Sequence, residues 1–120
     1  MAVVNLINVA TITPVMAAGA VTTSRASIVD VAADKVAKIN SLIIANIDGT
    51  NAADITVEVS VDNGSNYVAI AKTVSVAADS SLIVVGKDNG FYLDETDILA
   101  VTASAASDLT YLVSYELMTD

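Results

Sequence analysis

The sequence predicts an all-β protein: a single antiparallel β-sandwich of about seven to nine strands with an extended N-terminal arm. Two observations support this fold class. Several segments alternate apolar and polar residues with a period of two, and none carries a sustained apolar stripe of helical period. The apolar fraction of 54% consists mainly of Ala, Val, Ile and Leu rather than aromatic residues, which is typical of packed strands. Immunoglobulin-like and jelly-roll connections use the same signals, so both remain open.

Residues 1–19 are predicted to form an arm or edge strand, and residues 20–120 the sandwich. The arm is apolar on both faces of an extended segment, and a strand of that kind needs a partner. It either pairs with its own sandwich or adds to a neighbouring subunit. The small residues 17–20 predict a flexible hinge. The candidate assembly interface consists of the arm's larger apolar residues, which are Val3, Val4, Leu6, Ile7, Val9 and Ile12.

Strands are predicted along most of the remaining chain. Residues 55–61 alternate cleanly, and residues 109–117 do so except at Leu112. Residues 38–48 are apolar on both faces, because Leu42 and Ile44 accompany Ile43, so this strand is placed in the middle of a sheet or at an interface. The other predicted strands lie near residues 20–31, 67–76, 80–86 and 99–104.

Two turn signals divide these strands. Asp62-Asn63-Gly64-Ser65 predicts a hairpin turn, because Asn and Gly accept the positive φ of a type I′ turn. Asp88-Asn89-Gly90 is a second signal of the same kind. Both agree with a chain of short antiparallel strands.

Composition narrows the classes of function. With 14 acidic and 5 basic residues the formal net charge is -9, so a nucleic-acid backbone would be repelled. The chain has no Cys and no His, which removes zinc sites of the usual ligand type, Cys nucleophiles and every catalytic scheme built on imidazole. The longest dense apolar run, residues 39–47, is too short to span a bilayer. We therefore expect no nucleic-acid partner and no membrane partner.

Two clusters of oxygen-bearing side chains are candidates for a metal site or a catalytic site. Asp48, Asn51 and Asp54 lie between two strands, but the closing Glu and the glycine position of a calcium loop are missing. A turn is favoured, and weak calcium binding is the alternative. Asp94, Glu95 and Asp97 could form a carboxylate pair for acid-base chemistry, whereas three acids in a tight turn are more often solvated.

The segment "VVGKDNG" has the wrong spacing for a phosphate-binding loop, so Lys87 is predicted to be a solvated charge. No nucleophile elbow and no glycine-rich dinucleotide motif occurs in the sequence. The sequence therefore predicts no catalytic residue, no cofactor and no metal site.

Four stretches carry a resemblance to a known group: "KINSLIIANIDGTNAADITVEVS", "TVSVAADSSLIVV", "FYLDETDILAVTASAASDL" and "VSYEL". With these stretches, residues 35–118 resemble small virion structural proteins of tailed bacteriophages, especially those of marine cyanobacteria. The chain departs from that pattern at Ala77, where a proline is common, and this affects only the expected rigidity of that corner.

The resemblance implies a non-enzymatic virion structural protein. It does not fix which part of the virion. The acidic charge, the lack of a catalytic set, the small-residue core and the free arm favour a capsid decoration or cement protein on the head exterior, a homo-oligomer that binds the major capsid protein or other virion proteins. The alternative within structural proteins is a tail, neck or fibre-attachment component. An alternative of another class is a host-surface or glycan-binding module that uses loops 62–66 or 87–97, near Tyr67, Phe91 and Tyr92.

Overall fold

The computed structural model describes residue 7 and residues 9–119. The described residues form nine β-strands in two antiparallel sheets that pack as a sandwich, which confirms the predicted fold class. No helix that is long and apolar enough to cross a membrane occurs in this part of the chain. The strands are β1 (Thr11–Ala20), β2 (Ala26–Asp30), β3 (Lys35–Asn46), β4 (Ala53–Ser60), β5 (Val68–Val76), β6 (Ser81–Val85), β7 (Phe91–Leu93), β8 (Ile98–Ala103) and β9 (Leu109–Thr119).

The strands pair in a nested order that resolves the open question of connectivity. β1 pairs with β9, β2 with β8, β3 with β6 and β7, and β4 with β5. Sheet A has the order β1-β9-β3-β6, with β7 also on β3, and sheet B has the order β2-β8-β4-β5. A long antiparallel hairpin rolled into two sheets produces this pairing, which is the jelly-roll arrangement.

The core lies between the two sheets and is built from the inward positions of the alternating strands. In β4, Ile55 and Val57 are fully buried, as the period of two predicts. β3 is central, with β9 on one side and β6 and β7 on the other, which confirms its predicted position. Leu42 and Ile44 of β3 are fully buried against the facing sheet.

The turn at residues 62–65 has the predicted backbone. Asn63 and Gly64 have φ values of 59° and 86°, and the Ser65 N–H donates to the Asp62 carbonyl over 3.4 Å. The Asp62 carboxylate accepts hydrogen bonds from the side chain and the backbone N–H of Asn66, which lower the pKa of Asp62. The turn is therefore held by its own polar side chains as well as by the backbone.

The hairpin predicted at residues 88–90 is wrong. β6 and β7 both run antiparallel to β3 along the same edge of it, so the chain between them makes an outward loop and does not reverse. The turn itself spans Gly86 to Asn89, whose N–H donates to the Gly86 carbonyl. Gly90 has no positive φ and serves a different purpose, because a Cβ there would lie 2.7 Å from the Ile39 carbonyl oxygen.

We expect Gly90→Ala to lower the free energy of unfolding by about 1–3 kcal/mol, because the added methyl group would force the loop away from β3. Gly86→Ala is the matched control. The nearest atom to a Cβ at Gly86 is 3.5 Å away, and Gly86 also lacks a positive φ. Urea unfolding of both variants tests this, and equal stabilities of the two variants would contradict it.

The segment around β1 is a paired edge strand from Thr11 onward. β1 pairs with β9 over its whole length, from Thr11 opposite Thr119 to Ala20 opposite Thr110. The hinge predicted at residues 17–20 is wrong, since these residues lie inside this ladder. The Tyr111 ring lies over Gly19, with two of its atoms 3.3 Å from the place where a Cβ would be, so this position has little room for a side chain.

Candidate interaction surface

The solvent side of sheet B carries a cluster of charged and polar side chains around Arg25, while β5 at its edge has exposed apolar residues. The Arg25 guanidinium donates to both carboxylate oxygens of Glu58, over 3.0 and 3.3 Å, and lies 3.9 Å from the centre of the Tyr67 ring. The hydrogen bond to Glu58 raises the pKa of Arg25. Thr56 and Thr102 face each other across the neighbouring strands. These side chains make this part of the face polar.

The solvent face of sheet A is mixed, because polar pairs such as Ser41–Ser114 and Lys38–Glu116 lie on it beside an apolar line. One line of paired residues crosses all four main strands and contains only apolar side chains, which are Ala18, Leu112, Ile43 and Ile83. We call this line the apolar row. Ile83 is 66% exposed, and Met16, two positions from Ala18 on β1, is 68% exposed. Ile43 and Leu112 are half-buried, and the exposed apolar residues beside them make the row a candidate interaction surface.

A second apolar line lies on the same face, separated from the apolar row by the Ser114 and Glu116 positions of β9. Ile12, Met118 and Val36 are paired across β1, β9 and β3, and Val9 packs against Val36 and Met118. Ile12 itself is 57% exposed. Of the candidate assembly residues, the structure thus brings Val9 and Ile12 to the outer face of sheet A. Ile7 is exposed, and Val3, Val4 and Leu6 lie outside the described residues.

The 48–54 loop is built as a turn around two polar side chains. The Asp48 carboxylate accepts hydrogen bonds from the N–H groups of Thr50 and Asn51, and these bonds lower the pKa of Asp48. The buried Asn46 amide donates to the carbonyls of Asn51 and Val76. Among the residues that the structure describes, no group of three His, Cys, Asp or Glu side chains is arranged to hold a metal ion.

The 94–97 turn does not have the solvated acids that its sequence predicts. Glu95 is 1% exposed, and one of its carboxylate oxygens accepts the Asp34 N–H over 2.7 Å. Its other oxygen, Oε1, has no hydrogen-bond partner within the described part of the chain. Asp97 is 9% exposed and accepts the Asp94 N–H. The turn is packed against residues 31–34, because the Thr96 N–H donates to the Val31 carbonyl.

Burial raises the pKa of Asp97, and the hydrogen bond from Asp94 only partly opposes this. The protonated carboxyl therefore favours the folded state, and stability is lost as pH rises from the unfolded value of 3.8 through the raised folded pKa. We expect Asp97→Asn to raise the thermal midpoint at pH 7, with an advantage that shrinks on acidification.

Asp62→Asn should lower the thermal midpoint at pH 7, because the folded pKa of Asp62 is lowered and its carboxylate therefore stabilises the folded state above that pKa. Thermal scans from pH 3 to 7 test both signs.

The residues of the glycan-binding alternative do not converge on a binding site. Tyr67 lies under Arg25, Phe91 is half-buried beside the core, and Tyr92 is exposed on sheet A with the Lys38 ammonium 5.9 Å from its ring centre. Lys87 is exposed in the loop between β6 and β7. The three aromatic rings therefore present no shared platform.

Comparison with known proteins gives similarity in fold only. No protein-family model matches the sequence, and no curated protein matches it. A solved structure from work on Bacillus endospore appendages, described as disulfide-linked pili, matches with 18% identity and a TM-score of 0.50 over 91% of this chain and 87% of that one. The present chain has no Cys, so it cannot form such a link.

Two structures of a pentameric capsid protein from metagenomic phage sequences also match, with TM-scores of 0.39 and 0.40 and identities of 18% and 16%. Each match covers 96% of this chain, and 62% and 67% of the respective capsid chains. All three similar chains are, by their descriptions, structural proteins of pili or capsids.

Proposed function

We propose that this protein is a non-enzymatic virion structural protein of a tailed bacteriophage, fastened to its partner through the outer face of sheet A. The observation that carries the proposal is the apolar row, which crosses one solvent face of the sandwich while the other face carries the polar cluster of Arg25, Glu58 and Tyr67. An exposed apolar line of this kind supports an attachment surface on that side of the sandwich.

The proposed place is the exterior of the head, where the protein decorates and reinforces the capsid by binding the major capsid protein or other virion proteins. The negative net charge supports a water-facing exterior, and the resemblance of residues 35–118 to small phage structural proteins supports the virion. Each copy would contribute a modest apolar contact that the symmetry of the particle repeats many times.

The proposed contribution of the N-terminal residues is to join copies of the chain. Val3, Val4, Leu6 and Ile7 precede the first strand, and Val9 and Ile12 lead from them onto the outer face of sheet A. The segment before Val9 has no charged side chain, and removal of its apolar side chains from water is favourable. Since the chain has no Cys, any such joint is not a disulfide.

The first test is whether the protein is a stoichiometric part of the particle. Purified particles should contain the chain in many copies by immunoblot against a standard curve, and the signal should follow the particle through a density gradient. Signal only in the unassembled lysate fraction would contradict the proposal. A constant ratio to the major capsid protein across the gradient would support it.

A further inference from the structure

We infer that a groove between β5 and β6 receives the N-terminal residues of a second copy of this chain. This inference rests on the proposed function, because it identifies the surface that the N-terminal residues of a neighbouring copy would bind. The groove lies where both sheets end, because β5 is the outer strand of sheet B and β6 and β7 form an outer edge of sheet A. It has a volume of ≈ 200 Å³ and is lined by Ile70, Val84, Val85, Asn89 and Phe91.

Two bulges direct apolar side chains to this groove. On β5, Glu58 pairs with Ala69 and Val57 with Ala71, so Ile70 is an extra residue in the ladder. On β6, Ile43 pairs with Ile83 and Leu42 with Val85, so Val84 is an extra residue as well. A bulge re-aims the side chain of its extra residue and interrupts pairing. The occupant would therefore be held mainly by its side chains and less by a continuous backbone ladder.

The chemistry of the groove selects an apolar occupant. Four of its five lining residues are apolar, and Ile70 remains 46% exposed. The polar exception is Asn89, and both the oxygen and the nitrogen of its side-chain amide already form hydrogen bonds within the chain. Its oxygen accepts the Gly86 N–H and its nitrogen donates to the Val84 carbonyl. The apolar side chains of the lining are therefore a fit for Val, Leu and Ile side chains of an occupant.

The N-terminal segment of residues 1–8 has the matching chemistry. Its sequence, MAVVNLIN, has no charged side chain and places Val3, Val4, Leu6 and Ile7 within five positions. It precedes Val9, which packs against Met118 at the C-terminal end of β9, on the outer face of sheet A. Fully extended, eight residues span about 26 Å.

The same geometry favours the groove of a second copy over the chain's own. The Ala10 N–H binds the Thr119 carbonyl at the β1 edge, whereas the groove lies at the opposite edge, about 14 Å away across three strand spacings. It is also displaced along the strands, since Thr119 pairs with Lys35 but Phe91 pairs with Ile39, roughly 13 Å further. Counted from Ala10, Ile7 reaches about 10 Å and Leu6 about 13 Å in an extended chain, so neither side chain spans this diagonal of about 19 Å to the chain's own groove.

The absence of Cys makes the contact measurable by disulfide trapping. One copy carries Asn5→Cys, which leaves the apolar residues of the segment intact, and another carries Ile70→Cys. Mixed under mild oxidation, the two should yield a disulfide-linked heterodimer. Ile83→Cys is the matched control, because Ile83 lies on the outer face beside Val84 and does not line the groove. Equal trapping by Ile83→Cys, or trapping within one chain in the Asn5→Cys/Ile70→Cys double variant at high dilution, would overturn the inference.

Binding variants separate failure of this inference from failure of the proposed function. Self-association, measured by sedimentation, should weaken at least about tenfold on deletion of residues 2–8 and on Ile70→Asp, but not on Ile83→Asp. If deletion abolishes self-association and Ile70→Asp leaves it unchanged, the acceptor lies elsewhere and the inference fails while the proposed function stands. If trapping succeeds but the protein is absent from particles, the proposed function fails and the groove remains.

Discussion

Replacement of Ile83 by Asp, and separately of Leu112 by Asp, should release the protein from the particle. Both residues belong to the apolar row, and a carboxylate placed there would have to be buried without a partner against the surface it binds. We expect each variant to lose about 2 kcal/mol or more of binding free energy, which is about thirtyfold in affinity. Binding of purified variants to particles depleted of the protein, measured by co-sedimentation, gives this value.

The control for these variants is Val61→Asp. Val61 is 72% exposed, as accessible as Ile83, but it follows β4 at the end of sheet B. This variant should bind like the wild-type chain. Ile83→Asp should also keep the wild-type fold, because its side chain is 66% exposed. Undiminished binding by both row variants would show that the outer face of sheet A is not the attachment surface.

Removal of the Glu95 side chain should produce the largest loss of stability outside the apolar core. Glu95→Ala leaves the Asp34 N–H without its acceptor and opens a cavity at a position that is 1% exposed. Asp34 also has a φ of 64°, so this corner depends on its hydrogen bonds to hold a backbone conformation that non-glycine residues rarely adopt. We expect a loss of about 3 kcal/mol in the free energy of unfolding.

Glu95→Gln tests whether the oxygen acceptor matters or only the volume. Glutamine keeps an oxygen that can accept the Asp34 N–H, and it replaces a carboxyl group whose Oε1 has no partner among the residues described. It should therefore be clearly more stable than Glu95→Ala in the same chemical unfolding experiment. Equal loss by the two variants would contradict a specific role for the hydrogen bond.

Much of the fold follows from local sequence patterns. The alternation in β4 and β9 predicts strands and their inward faces, and the apolar character of β3 on both faces predicts its central position. Asn63 and Gly64 predict their turn, since few other residues accept its backbone. These features are local, so a single strand or turn carries the whole signal.

The connectivity depends on pairings between distant segments. β1 and β9 lie at opposite ends of the described chain, and no local pattern tells that they are neighbours. The prediction of a hairpin at residues 88–90 fails for a related reason. Gly90 is needed for its close approach to Ile39, a contact that exists only once β7 lies beside β3.

The candidate surface was only partly visible in the sequence. Two local signs of apolar positions on the outer face exist: Leu112 interrupts the alternation of β9, and Ile43 makes β3 apolar on both faces. The apolar row itself emerges only from the register that aligns Leu112 with Ile43 and Ala18. Ile70 gave no signal, because its orientation depends on a bulge in the pairing with β4. The burial of Glu95 likewise results from packing against residues 31–34.

The central claim is that the protein is part of a virion and lies on the exterior of its head. Gold-labelled antibody against the chain, imaged on intact particles and on separated heads and tails, tests this most directly. The account predicts label distributed over the head surface. Label confined to the neck or tail would transfer the same sandwich to a connector or fibre-attachment role and refute the decoration proposal. Absence of label from heads and tails alike would contradict the claim altogether.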